Sequence, residues 1–156
     1  MNRKGVLLAA LTIAAILVAV FGAREYRRRQ AIAGLPELPA ASASVLTTLA
    51  PLRAAAVENP RSDSTWGVYG IALFANDFAA PAAACFAKAE EINPHDGRWP
   101  YYFALCQPAG EARLAGFRRA LVAAPDQAAA AAALAEALLE AGAAAEAAAI
   151  VDSGLK

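Results

Sequence analysis

The chain has 156 residues, 59% of them apolar, with 14 basic and 14 acidic side chains that cancel. This length holds one small domain with appendages, and the lack of a basic surplus beyond the N-terminal third argues against nucleic acid, whose phosphates call for a Lys/Arg face. One histidine, His95, and two cysteines, Cys85 and Cys106, do not assemble a metal site, and no cofactor is expected.

Residues 5–23 are 19 consecutive uncharged residues between Lys4 and Arg24. As a helix they span about 28 Å, close to the roughly 30 Å hydrocarbon core of a bilayer. The segment predicts a transmembrane signal-anchor helix, with its basic flank ending near residue 30. A cleaved signal peptide is the rival reading, given Asn2-Arg3-Lys4 at the start and Gly22-Ala23 at the end. The run exceeds the roughly 7–15 residues of a signal core. Cleavage after Ala23 would place bulky Phe21 at the −3 position, whereas cleavage after Gly22 places Val20 there. A buried core helix fits less well, because no polar face interrupts the run. Arg24, Arg27, Arg28 and Arg29 follow the span, and only Arg3 and Lys4 precede it. The positive-inside rule then favours a cytoplasmic C-terminal part, but the very short N-terminal tail keeps both orientations open. The arginines suit contact with lipid headgroups.

Residues 31–41 contain Gly34, Pro36 and Pro39. Two prolines this close favour extended chain, so the stretch reads as a spacer, or alternatively as a docking strip. From residue 42 the pattern turns helical. Ser42 or Ser44 caps a lead-in helix over 42–58, with Val45, Leu49, Leu52 and Ala56 on one face and Pro51 expected to kink or shorten it. Asn59-Pro60 marks the turn that follows.

Trp66, Gly70, Leu73, Ala82, Phe86, Ala89 and Pro94 then fall at spacings of 4, 3, 9, 4, 3 and 5 residues. This ladder resembles the signature of the tetratricopeptide repeat, a 34-residue helix–turn–helix, with Leu73 where tyrosine is commoner. The resemblance implies a first repeat over about 63–96, with helix A over about 64–75 and helix B over about 80–92. Phe117, Ala120 and Pro125 repeat the offsets of Phe86, Ala89 and Pro94, which places a second repeat over about 97–127. Pro94 and Pro125 are 31 residues apart. The three missing residues are expected in the A–B turn near 107–110, with a short helix A over about 99–106. A third repeat, about 128–156, carries Leu134, Ala135, Leu138, Gly142 and Ala147 in register. Its alanine richness is also compatible with compositional drift, but Leu134, Leu138 and Leu139 against Glu136, Glu140 and Glu146 give it an amphipathic pattern. The expected fold is therefore all-α: an N-terminal transmembrane helix and a short right-handed α-solenoid of antiparallel helix pairs. About three stacked repeats suffice for a stable array, because each buries its face on its neighbour.

A narrower likeness rests on Trp66-Gly67-Val68-Tyr69-Gly70, Cys85-Phe86 and Arg98-Trp99-Pro100-Tyr101-Tyr102. These resemble a bacterial subgroup of membrane-anchored, extracytoplasmic repeat proteins. That resemblance implies a periplasmic repeat domain, against the charge rule, and carries no settled activity.

The inner face of such an array is lined mainly by its A helices. The resemblance therefore implies partner contacts at Gly67, Ile71 and Phe74, at Arg98, Tyr101, Tyr102 and Leu105, and at Glu136 and Leu139. Co-chaperone members of the family grip a terminal carboxylate with Lys, Arg and Asn here. Only Arg98 is basic, so that clamp is not expected. The groove is instead apolar and aromatic and suits a peptide or a helix held by side-chain burial. Trp99, Tyr101, Tyr102 and Phe103 form the candidate hot spot, but four aromatics cannot share one helix face, so one or two belong to the core. Cys85 and Cys106 are equidistant from His95, which puts them at equal height in an antiparallel pair. A disulfide and two small buried thiols are the competing readings. His95 reads as a solvent-exposed turn residue and Asp96 as a helix cap. The expected role is a non-catalytic, membrane-anchored scaffold or adaptor for a protein partner. A structural subunit held in a larger membrane complex by its span is the alternative, and an enzyme lacks a constellation.

Overall fold

The computed structural model describes residues 3–38 and 40–154, and side chains only from residue 11 to residue 152. Among these residues the chain forms eight helices and no strand, which makes it all-α. It divides into two compact units, Met1–Gly34 and Leu35–Lys156.

The first unit is one helix, α1 (Arg3–Ala33, 31 residues). Leu11, Ile13, Ile16, Leu17, Val18, Val20 and Phe21 are each more than half exposed, and at about 100° per residue they cover most of the helix circumference, leaving one side to Ala15, Ala19 and Gly22. Among the described residues no helix is long and apolar enough to cross a membrane. Residues 5–10 of the expected span lie outside the described side chains, and charged residues begin again at Arg24. The helix does not end at the arginines. Residues 31–33, expected in the spacer, belong to α1, because Ala31-Ile32-Ala33 offers nothing to break it before Gly34 and Pro36. Pro39 lies outside the described residues.

The second unit begins with α2 (Ala43–Glu58), whose N-cap is Ser42; its Oγ accepts from the Val45 N–H. The helix runs through Pro51 rather than stopping there. The missing proline N–H removes one internal bond but leaves the face of Leu49, Ala56 and Val57 buried. Then follow α3 (Asp63–Phe74), α4 (Ala79–Ile92), α5 (Arg98–Leu105), α6 (Glu111–Ala123), α7 (Ala128–Glu140) and α8 (Ala144–Gly154). The extensive helix–helix contacts all join consecutive helices, from α2 on α3 to α7 on α8. That one-dimensional packing is the pattern of an α-solenoid.

The turns repeat as well. After α2, α4 and α6 the residues Asn59, Asn93 and Ala124 take similar backbone angles, with φ of −121°, −134° and −140°, and each donates its N–H to the carbonyl four residues back. A proline follows each, and a tight bond closes each turn: Ser62 N–H to Asn59 O, Asp96 N–H to Asn93 O and Gln127 N–H to Ala124 O, at 3.0, 3.3 and 3.1 Å. The turn from α3 to α4 matches that from α7 to α8. In them Asp77 and Gly142 take positive φ, 64° and 78°. Phe78 N–H then reaches back to Leu73 O at 3.0 Å, and Ala143 N–H to Leu138 O at 2.8 Å, a left-handed helix ending that recruits otherwise orphaned carbonyls. The α5–α6 turn is different, and the missing residues are not lost from it. It is one residue longer than the α3–α4 turn, whereas α5 has 8 residues against 12 in α3. The shortfall falls on the helix, since Pro108 and Gly110, the latter at φ 140°, demand room for a wider loop.

Small residues set the spacing between helices. A Cβ on Gly70 would come within 2.8 Å of the Phe86 ring, and one on Gly116 within 2.8 Å of the Ala104 Cβ. Trp66, Tyr69, Leu73 and Phe86 fill the α3–α4 core. Ala104, Leu114, Phe117, Leu134 and Leu138 form the core that joins α5 to α8.

Candidate partner-binding surface

The residues expected to meet a partner lie on α3, α5 and α7. On α3, burial alternates along the helix: Trp66, Gly67, Tyr69, Gly70 and Leu73 are buried, while Val68 and Ile71 are 48% and 38% exposed. Gly67, expected on the open face, is not there. A Cβ at Gly67 would stand 2.1 Å from the Trp99 ring, so the indole of α5 lies directly on α3 and closes that position. Trp99 is 2% exposed, which takes it out of the candidate hot spot and into the core.

Asp63 holds that indole. Its Oδ2 accepts from Trp99 Nε1 and from Asn93 Nδ2, both at 3.0 Å. One carboxylate at the start of α3 therefore ties down the end of α4 and the start of α5. Burial pushes its pKa up, but the hydrogen bonds from Asn93, Trp99 and the backbone outweigh it, and the net shift is downward.

Tyr101 and Tyr102 are half-buried and packed ring on ring. Tyr102 stacks on Phe86 at 5.3 Å, Tyr101 meets Tyr102 edge-on at 5.4 Å, and Tyr101 also contacts Phe117 at 5.9 Å. The two tyrosines bridge the two cores and stay half-exposed. Leu105 is likewise half-buried against the C-terminal core. Phe103 lies beneath the Arg119 guanidinium at 5.5 Å, and Arg119 pairs with Glu90 across helices at 2.7 Å. Phe74 is half-buried, and Glu136 and Leu139 are exposed, Leu139 at 60%.

Arg98 is exposed yet engaged. Its Nε donates to Asp96 Oδ1 and Oδ2 at 2.9 and 3.1 Å, its Nη2 to Oδ2 at 2.6 Å, and its guanidinium lies 4.6 Å from the Trp99 ring centre. The hydrogen bond from Arg98 holds the Asp96 carboxyl below its usual range. A fork already filled by a carboxylate does not offer itself to another. Asp96 also accepts from the Arg98 N–H at 3.1 Å, but the N-cap of α5 is Gly97, not Asp96 as expected. His95 is exposed in the same turn.

Cys85 and Cys106 are both free thiols, Cys85 buried and Cys106 half-buried. Burial, and then the nearby Cys106, push Cys85 up to about 12; burial pushes Cys106 up to about 11. Both stay protonated near neutral pH and are poor nucleophiles. Tyr69 is wholly buried with its hydroxyl unpartnered, and burial raises its pKa, with a further push from Cys85. A half-open cleft of about 160 Å³ between the α5–α6 turn and α7 is lined by Arg113, Leu114 and Glu140. It is smaller than the roughly 300 Å³ at which small-ligand sites begin.

Sequence reasoning missed two residues. Val68 stands one turn before Ile71 on the same exposed stripe, and 34 residues before Tyr102, the repeat period that would have placed it. The anchoring role of Asp63 had no local signal, because its partners lie 30 and 36 residues away. No protein-family model matches this sequence, and no curated protein matches it.

Proposed function

We propose that the protein is a non-catalytic adaptor, anchored in a membrane by α1, that docks a protein partner on its A helices. The observation that carries this reading is the set of large apolar side chains left open on those helices. Val68 and Ile71 on α3 and Leu139 on α7 face solvent, while the other faces of the same helices are packed. The tetratricopeptide-repeat resemblance supports it, as do the repeated turn geometries. In this reading the helix pairs form a right-handed array whose groove takes an extended peptide or an amphipathic helix by side-chain burial. Val68, Ile71, Phe74 and Leu139 supply the apolar contacts, and the half-exposed Tyr101, Tyr102 and Leu105 join them. Glu136 and Arg98 supply polarity at the rim. Anchoring raises the groove's effective concentration toward partners at the same membrane. The subgroup likeness favours a periplasmic repeat domain.

A structural subunit held by α1 is the second reading. The exposed apolar side chains over most of the circumference of the first part of α1 favour it, because so wide an apolar surface belongs among lipids or other helices.

Crosslinking in native membranes followed by identification of co-purifying proteins separates the two. Ile71→Glu with Leu139→Glu places charge on the open face and leaves the core intact. An adaptor loses its partner in this double variant. A subunit retained through α1 keeps its neighbours. The compartment of the captured protein reports the orientation, and capture of nothing by the wild-type chain counts against both readings.

A further inference from the structure

We infer that Arg24, Arg27 and Arg28 form a binding face for the phosphates of anionic phospholipids, a reading that rests on the membrane placement of α1 proposed above. Three observations lead there. The helix continues unbroken from the apolar residues through the arginines to Ala33, so these side chains are held on a rigid rod. From Arg24 to Arg28 the rod rises about 6 Å. That matches the thickness of one headgroup layer, roughly 5–7 Å on each side of the hydrocarbon, and it starts one residue after the last apolar position, Ala23.

The second observation is angular. At about 100° per residue, Arg27 and Arg28 lie about 60° and 40° to either side of Arg24, so the three share one face. Arg29 points elsewhere, about 140° round, toward Glu25. The third is pairing. Glu25 is the one carboxylate among the described residues of α1, and it is drawn to Arg29 at 3.2 Å, with Arg28 only at 3.8 Å. Among the described residues Arg24 makes no ion pair, and Arg27 spends its Nε on the Ala23 carbonyl at 3.0 Å. Three guanidinium groups thus stand on one face with little internal neutralisation, and each carries a planar fork suited to phosphate oxygens. A zwitterionic headgroup brings its own cation. An anionic headgroup does not, and it is the better match.

The test uses the full chain reconstituted in phosphatidylcholine vesicles holding a minority of phosphatidylglycerol. Spin-labelled versions of each lipid report their relative association with the protein, and an alkaline carbonate wash reports insertion. The wild-type chain is expected to resist the wash and to select phosphatidylglycerol on the order of fivefold, with the selection shrinking at high salt. Arg24→Gln/Arg27→Gln/Arg28→Gln is expected to resist the wash with selection near one, while Arg29→Gln keeps it. Retention with equal association of the two lipids, or equal loss of selection in Arg29→Gln, overturns the proposed face and leaves the membrane reading standing. Release of the wild-type chain by carbonate overturns the membrane reading, and the proposal with it.

Discussion

At Gly67 the absence of one methyl group decides how two repeats meet. The Trp99 ring occupies the space a Cβ would need, at 2.1 Å, and that ring is buried and bonded to Asp63. Gly67→Ala therefore forces the indole out, breaks the Trp99–Asp63 bond and costs about 1–3 kcal/mol, the usual range for overpacking. A lower urea midpoint with an unchanged m-value, and a red-shifted tryptophan emission, are the expected readings. Asp63 itself predicts a pH dependence. Its folded pKa lies below the unfolded value, so its contribution is complete above the unfolded pKa and fades as pH falls through the folded one. Asp63→Asn keeps the shape but weakens two charge-assisted bonds. The loss at neutral pH should be about 1–2 kcal/mol, and the gap between variant and wild type should narrow as urea midpoints are taken down from pH 6 to about pH 3. A constant gap would mean that the carboxylate's charge contributes nothing. The cysteines give a third expectation. With Cys85 and Cys106 raised to about 12 and 11, a thiol reagent at pH 8 should label Cys85 only on the timescale of unfolding, with Cys106 reacting sooner yet slower than a free thiol. Fast labelling of Cys85 would show the α4–α5 seam to be open.

At the scale of elements, the helices were largely legible because their ends carry chemistry. Ser42, a cap candidate in the sequence, accepts from the Val45 N–H, and a proline follows the end of each of α2, α4 and α6. These signals act within a few residues and need no tertiary context. The failures share a cause. Trp99, Pro100, Tyr101, Tyr102 and Phe103 are consecutive bulky residues on a helix of 8, too short for periodicity to set its phase. Which of them face inward depends on Gly67 and Phe86 in other helices. The α5–α6 turn was misjudged for the reverse reason: the gap in the 34-residue period was visible, but shortening a helix and shortening a loop leave the same gap. Pro51 does not shorten α2, since one lost bond in a 16-residue helix is outweighed by the packing of Leu49, Ala56 and Val57. The open stripe of Val68 and Ile71 is an element-scale feature too: Ile71 was expected on it, and Val68 takes the place beside it that the buried Gly67 vacates.

Over the whole second unit, the consecutive packing of helices predicts that stability is distributed unevenly. Each helix pair leans mainly on its neighbours, so damage at one end should stay there. The two ends also differ in what they bury. The α3–α4 pair encloses Trp66, Tyr69 and Phe86, whereas α7 and α8 contribute leucines and many alanines, whose burial removes less apolar area from water. Leu138 is 1% exposed, packs with Phe117 and Leu134, and carries the carbonyl that closes the α7–α8 turn. Leu138→Ala should cost about 2–5 kcal/mol locally, enough to melt the last pair while the first persists. Hydrogen exchange followed by mass spectrometry is the decisive reading. Amides of α7 and α8 should lose protection, those of α6 should lose part of it through the newly bared Phe117, and those of α3 and α4 should keep theirs. Equal loss in α3 and α4 would make the unit a single cooperative body and would remove the basis for treating it as an array. The confined loss, in contrast, would leave Val68 and Ile71 presented on an intact α3, so partner binding there, as proposed above, should survive in the same variant.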